Sequence, residues 1–154
     1  MCGPAGCGKS TFVKRNSNPK TDVIVSRDAI RFDLLEERGG DYFSYEDEVW
    51  RKFVSFINLA GANANVETVW VDATHLTPKS RKKLLNAIDT SYYKEIWAIA
   101  LNCSLQGCLI KNSNREGLAQ VPEAVIKNHY TRYILPTLDE GFDKIVIIEM
   151  EAFQ

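Results

Sequence analysis

The sequence predicts an α/β fold, with a parallel sheet and helices on both of its faces. Three observations point there. Short β-branched runs alternate with helical stretches along the chain, the pattern of strand–crossover–strand units. The runs show little polar alternation, as in strands buried on both faces. A glycine-rich loop near Met1 leads straight into a helical pattern, an arrangement suited to anions. The 154 residues are expected to form one domain, residues 1–154, within the usual ~100–200 for a single domain.

The first helix begins in the glycine loop and runs to about Arg15. Val23–Ser26 reads as a strand, followed by a helix over roughly Ala29–Glu37. The longest helix lies near Tyr45–Ala62, with Val49, Phe53, Phe56, Ile57 and Ala60 spaced i, i+4, i+7, i+8, i+11. Thr68–Asp72 is a second strand. Thr77-Pro78 then opens a helix, since Thr is a good N-cap and Pro suits the first helical position. Ile96–Leu101 and Lys144–Glu149 complete the strands, with helices over Ser104–Lys111 and Pro122–Leu135. Parallel neighbours should be joined by right-handed crossovers. A strand is missing from this series. Met1-Cys2-Gly3 enters the glycine loop at once, whereas such a loop normally hangs from a central strand. Either that strand is lost or it lies upstream of Met1.

Composition narrows the function classes. Nineteen Lys plus Arg against twenty Asp plus Glu give a net charge of −1, so any nucleic-acid contact must be a local patch. Cys2, Cys7, Cys103 and Cys108 form no C-x2-C pair, which argues against a zinc knuckle. Reduced thiols and a cytoplasmic location are expected. No apolar run approaches the ~20 residues of a membrane span, and no signal segment opens the sequence.

Gly3-Pro4-Ala5-Gly6-Cys7-Gly8-Lys9-Ser10 fits G-x-x-x-x-G-K-[ST]. This is the phosphate loop of the P-loop NTPase fold. Glycines let backbone N–H groups turn inward around phosphate oxygens, and the following helix aims its N-terminus at the same anion. Lys9 is placed to reach the β- and γ-phosphates of ATP and Ser10 to bind Mg²⁺. Thr11 follows on the helix.

The acceptor side is read from Ser26-Arg27-Asp28-Ala29-Ile30-Arg31, where a strand runs into a helix. Ligands of open α/β sheets bind beyond the carboxyl ends of strands. Asp28 there can accept a proton from an attacking hydroxyl, and Arg31 can hold an acceptor phosphate. Equally, Asp28 can cap the helix and pair with Arg31. Val69-Trp70-Val71-Asp72 is an apolar strand ending in an acid, and Asp72 can hold Mg²⁺ directly or through Ser10 or water. Thr74 and His75 follow; His75 receives no acid–base role. Lys79, Arg81, Lys82 and Lys83 near a helix start read first as a solvated basic face, and second as a polyanion contact. Residues 111–121, opening Lys111-Asn112-Ser113-Asn114-Arg115, read as a mobile lid whose Arg115 can close over the phosphates.

Four motifs in order, Gly3–Ser10, Ser26–Arg31, Asp72–Pro78 and Lys111–Pro122, resemble the P-loop kinase domain of phage polynucleotide kinases and their small bacterial and phage relatives. The resemblance runs from Gly3 to about Tyr133. It implies Mg²⁺-dependent transfer from ATP to the 5′-hydroxyl of an RNA or DNA end. It makes Asp28 the general base and Arg31 the arginine on the neighbouring phosphate, with Arg27 just before the base. It places Arg115 and Lys111 on the ATP phosphates. One departure stands out: the family's Thr-Asn-Leu is Thr74-His75-Leu76 here. Relatives also phosphorylate small molecules, so a nucleoside, sugar or antibiotic is the alternative acceptor. A closed apolar pocket would favour that alternative. A continuous basic track through Arg27, Arg31 and Lys79–Lys83 would favour a polynucleotide. A non-kinase nucleotide-binding module is a third reading, although no Asn-Lys-x-Asp guanine motif is present.

Overall fold

The computed structural model describes residues 1–150. Helices α1 (Lys9–Asn16), α2 (Arg27–Arg38), α3 (Glu46–Ala62), α4 (Pro78–Ala87), α5 (Leu105–Ser113) and α6 (Glu123–Arg132) alternate with strands β1 (Asp22–Ser26), β2 (Thr68–Asp72), β3 (Trp97–Cys103) and β4 (Lys144–Met150). All strand pairing is parallel. β1 pairs with β2 from Asp22↔Thr68 to Ser26↔Asp72, and β3 with β4 from Trp97↔Lys144 to Cys103↔Met150.

The first three residues join the two pairs. The Met1 ammonium donates to the Val71 carbonyl at 2.9 Å, and Cys2 N–H donates to Ile99 O at 2.8 Å. Leu101 N–H returns a bond to Cys2 O at 2.9 Å. Met1–Gly3 therefore lies between β2 and β3 as a stub, giving the spatial order β1, β2, stub, β3, β4. Among the described residues, no strand lies between the N-terminal halves of β2 and β3, which are paired only on their outer edges, with β1 and β4.

Local rules explain most boundaries. Ser26 caps α2 by accepting from Ala29 N–H, so Asp28 sits in the first turn rather than at the cap. Thr77 and Ser80 form a capping box at α4, with Pro78 at the first helical position. Helix α6 stops at Arg132, short of the expected Leu135. Leu135 precedes Pro136 and is pushed out of the helical region, while Ile134 N–H bonds Leu76 O instead.

Three apolar clusters form the core of the described residues, a small one around Cys2, Ala98 and Ala100 and two larger ones. Cys7, Val13, Leu101, Cys103, Cys108 and Ile126 pack beneath the glycine loop. Val25, Ile30, Leu34, Val49, Phe53 and Ile57 pack α2 and α3 on β1. Phe56 departs from its expected core position and is 44% exposed. At 100° per residue it falls at the edge of the arc formed by Val49, Phe53, Ile57 and Ala60, beside Val49, so the helical period alone does not expose it; the packing of α3 does. Two-sided burial also fails at the outer strands, where Ile24 of β1 is 42% and Ile147 of β4 is 48% exposed. The expected solvated basic face needs one correction. Arg81 is fully buried, with Nε and Nη2 on Glu140 at 2.6 and 2.8 Å and Nη1 on the carbonyls of His75 and Ile134. It welds α4 to the segment before β4, while Lys79, Lys82 and Lys83 are exposed.

Candidate active site

The glycine loop turns between Cys2 and α1. Gly6 has φ +82, and a Cβ there would lie 2.4 Å from the Cys108 carbonyl oxygen, so only glycine fits against α5. Gly8 takes a left-handed conformation as N-cap of α1. Having no side chain, it leaves the first N–H groups of the helix to an anion. The Lys9 ammonium is buried and donates to Gly3 O at 2.9 Å and Pro4 O at 2.7 Å. It is thereby held within the loop rather than projecting into solvent.

The Ser10 hydroxyl donates to Asp72 Oδ2 at 2.6 Å, and Asp72 is buried at the end of β2. Two hard oxygen groups side by side suit Mg²⁺, which takes one or two protein oxygens and completes its shell with water and phosphate. Among the described residues no group of three or more His, Cys, Asp and Glu is arranged to hold a metal.

Ser10 and Asp72 open into a cleft of about 660 Å³, whose lining also includes Asp28 and Arg115. Its walls are largely apolar, with Ile24, Phe32, Phe56 and Leu118 among them. Four residues singled out from the sequence thus meet in one cavity: Ser10, Asp28, Asp72 and Arg115. Lys111 lies over the loop and donates to Cys7 O at 3.3 Å. Thr11 is exposed on α1. Thr74 contributes its carbonyl, which accepts from Gly3 N–H at 2.9 Å and anchors the loop to the end of β2.

Arg27 and Arg31 do not line the cleft. Arg31 is buried, with Nε on Glu46 Oε1 at 2.6 Å and Nη2 on Glu46 Oε2 at 3.1 Å. Its Nη1 bonds the Asp28 carboxylate and the Tyr42 hydroxyl. Tyr42 in turn donates to Asp28 Oδ1 at 3.1 Å. Arg27 shares Glu46 at 3.1 Å and stacks 5.5 Å above the Trp50 ring. Burial works against the Glu46 carboxylate, but the Arg31 hydrogen bonds outweigh it and hold its pKa below the usual range. Burial and the Asp28 charge push the Tyr42 hydroxyl up to about 12, so it remains a donor. Tyr42 and Glu46 escaped the sequence reading. Two arginines in the first turns of α2 with one local acid were the available signal that a second acid was needed.

His75 holds a left-handed φ of 44 and places Nδ1 2.9 Å from Met1 O. A carbonyl only accepts, so Nδ1 carries the proton. Burial, helped by the Met1 ammonium, lowers its pKa to about 3 and keeps the ring neutral. At the predicted lid, the Asn112 side chain spans the base of the loop. It donates to Val121 O at 2.7 Å and accepts from Val121 N–H at 2.9 Å. Arg115 Nη1 rests on Ala119 O at 3.4 Å, and a 3₁₀ turn covers Gly117–Ala119.

A family model described as AAA domain matches residues 1–136. No curated protein matches the chain. No helix of the described residues is long and apolar enough to cross a membrane.

Proposed function

The chain belongs to the AAA domain family, a P-loop NTPase-type family, and from that premise we propose an ATP-dependent kinase that phosphorylates a hydroxyl. The observation that carries the reading is the sharing of one cleft by the Ser10–Asp72 pair and Asp28. A phosphate end and a proton acceptor facing the same cavity are what in-line transfer to an alcohol requires.

Residue roles follow from placement. The N–H groups of Gly6, Gly8 and the start of α1 bind phosphate oxygens, with Lys9 supplying a cation and Arg115 and Lys111 closing from the lid side. Ser10 and Asp72 hold Mg²⁺, which when bound neutralises charge on the phosphates. Asp28 takes the hydroxyl proton as the new O–P bond forms and the bond to the β-phosphate oxygen breaks, releasing ADP. Tyr42 and Arg31 orient Asp28. Catalysis is then mostly positioning and electrostatics.

The order of the four motifs supports a polynucleotide 5′-hydroxyl as acceptor. A specific observation supports a small hydroxylated molecule instead: Arg27 and Arg31 are committed to Glu46, so they do not form a basic track into the cleft. The direct test supplies Mg²⁺ and γ-labelled ATP with a 5′-hydroxyl oligonucleotide, its 5′-phosphorylated form, and nucleosides. Label entering a hydroxyl compound, and lost in Asp28→Ala, supports the kinase reading. ATP binding without transfer to any alcohol would leave only a nucleotide-binding module.

A further inference from the structure

Resting on the kinase reading, we infer that the acceptor is a single nucleoside-sized molecule, flat and largely apolar beside its hydroxyl, with no phosphate of its own. The first argument is the state of Arg31. Four of its five N–H donors are satisfied by Glu46, Asp28 and Tyr42, and its side chain is only 7% exposed. A guanidinium so enclosed has no fork to offer a phosphate. Arg27 is likewise drawn to Glu46 and the Trp50 face.

The second argument is the charge lining the cleft. Asp28, Asp33 and Asp72 outnumber Lys14 and Arg115. Arg115 and the Ser10–Asp72 end belong to the nucleotide in the kinase reading. That leaves the acceptor end with two carboxylates, Asp28 and Asp33, against Lys14, where a polyanion would be repelled. The third argument is shape and polarity. Ile24, Phe56 and Leu118 line the cleft while 42%, 44% and 56% exposed. Apolar side chains left open to water inside a cavity of about 660 Å³ fit the pattern of small-molecule sites, which are mostly apolar with a few placed polar groups. A flat ring against Phe56 and Ile24 brings an attached hydroxyl towards Asp28. Its proton passes to that carboxylate, its oxygen takes the γ-phosphoryl group, and ADP leaves.

The test uses the full chain with Mg²⁺ and γ-labelled ATP. The probes are the common ribo- and deoxyribonucleosides, their 3′-monophosphates, and a short 5′-hydroxyl oligonucleotide. We expect kcat/KM for a nucleoside to exceed that of its 3′-monophosphate by about tenfold or more, because the added phosphate meets Asp28 and Asp33 as a like charge. Phe56→Ala should raise the nucleoside KM by about tenfold, the loss of one ring contact, with KM for ATP unchanged. Phe56 is half exposed, so the variant should fold. Preference for the 3′-monophosphate or the oligonucleotide overturns the inference. So does an unchanged nucleoside KM in Phe56→Ala, or labelling of no probe while ATP still binds. Failure to bind ATP overturns the kinase reading itself.

Discussion

The Ser10 hydroxyl donates to the Asp72 carboxylate at 2.6 Å and joins the first turn of α1 to the last residue of β2. The bond holds two oxygen groups side by side at the end of the cleft next to the glycine loop. Ser10→Ala and Asp72→Asn should each weaken Mg²⁺ by about 10–100-fold, the usual cost of losing a metal-site partner. The check is a Mg²⁺ titration of turnover at saturating ATP. An unchanged half-saturating Mg²⁺ concentration in both variants removes the pair from the metal site.

Asp28 is held by Arg31 and Tyr42, while its carboxylate is 63% exposed on the cleft side of α2. Asp28→Ala should leave ATP affinity nearly intact and lower kcat by about 10²–10⁴-fold, the range for a lost general base. Tyr42→Phe should cost less, since Arg31 still orients the carboxylate. Stopped-flow ATP binding beside steady-state turnover separates the two effects. Loss of ATP binding in Asp28→Ala would sink the assignment.

Glu46, at the start of α3, pairs with both Arg27 and Arg31. Glu46→Gln leaves the buried Arg31 guanidinium without its bidentate partner. We expect a loss of about 1–2 kcal/mol, below the value for a fully buried pair because Glu46 is 28% exposed. A second effect follows. An arginine released from Glu46 becomes available to a phosphate, so acceptors bearing one should improve relative to the wild type. Chemical denaturation measures the first effect and competition between paired acceptors the second. Stability equal to wild type would show that the pair contributes nothing.

Stability should fall as pH drops from 8 to 5. Burial lowers the Met1 ammonium below its ordinary 8.0 and takes His75 from 6.5 to about 3. Both groups are bases with depressed folded pKa values, so the unfolded chain binds more protons and acid favours unfolding. His75 alone contributes roughly 1–2 kcal/mol of this loss between pH 6.5 and 5. Arg81 and Arg31 hold Glu140 and Glu46 below the ordinary 4.5, so their stabilisation persists until lower pH. His75→Asn should flatten the pH 5–6.5 part of the Tm profile, since Asn tolerates a left-handed φ and can donate to Met1 O. An unaltered slope in that variant would place the titration elsewhere.

What was legible in the sequence was local. The Thr77-Pro78 start of α4, the bounds of β2 and the Gly3–Ser10 loop each follow from rules acting within a few residues. What was hidden depends on distant partners. Arg81 looked solvated because its acid, Glu140, lies 59 residues away. Phe56 looked buried because its spacing satisfied the helical period as well as Ile57 did, and only the packing of α3 on β1 decides between neighbours. His75 stood out as a departure from a motif with Asn. The backbone explains why either residue serves: φ is 44, a region in which Asn, Asp and His are enriched.

The facing halves of β2 and β3 give the last prediction. Their C-terminal ends are bridged by Met1–Gly3, while farther back no described strand pairs between them. On the edges that face each other there, backbone groups of both strands have no ladder partner among the described residues. Fusing four apolar β-branched residues ahead of Met1 would extend the stub in the parallel register already set by Cys2 opposite Ala100. It would complete both ladders. Such a variant should melt about 5 °C or more higher, equivalent to a gain of roughly 2 kcal/mol in a chain of this size. A Gly/Ser extension of equal length, which buries no side chains, should give no comparable rise. Equal melting temperatures for the two extensions would mean that the slot does not accept a strand and that β2 and β3 are satisfied in some other way.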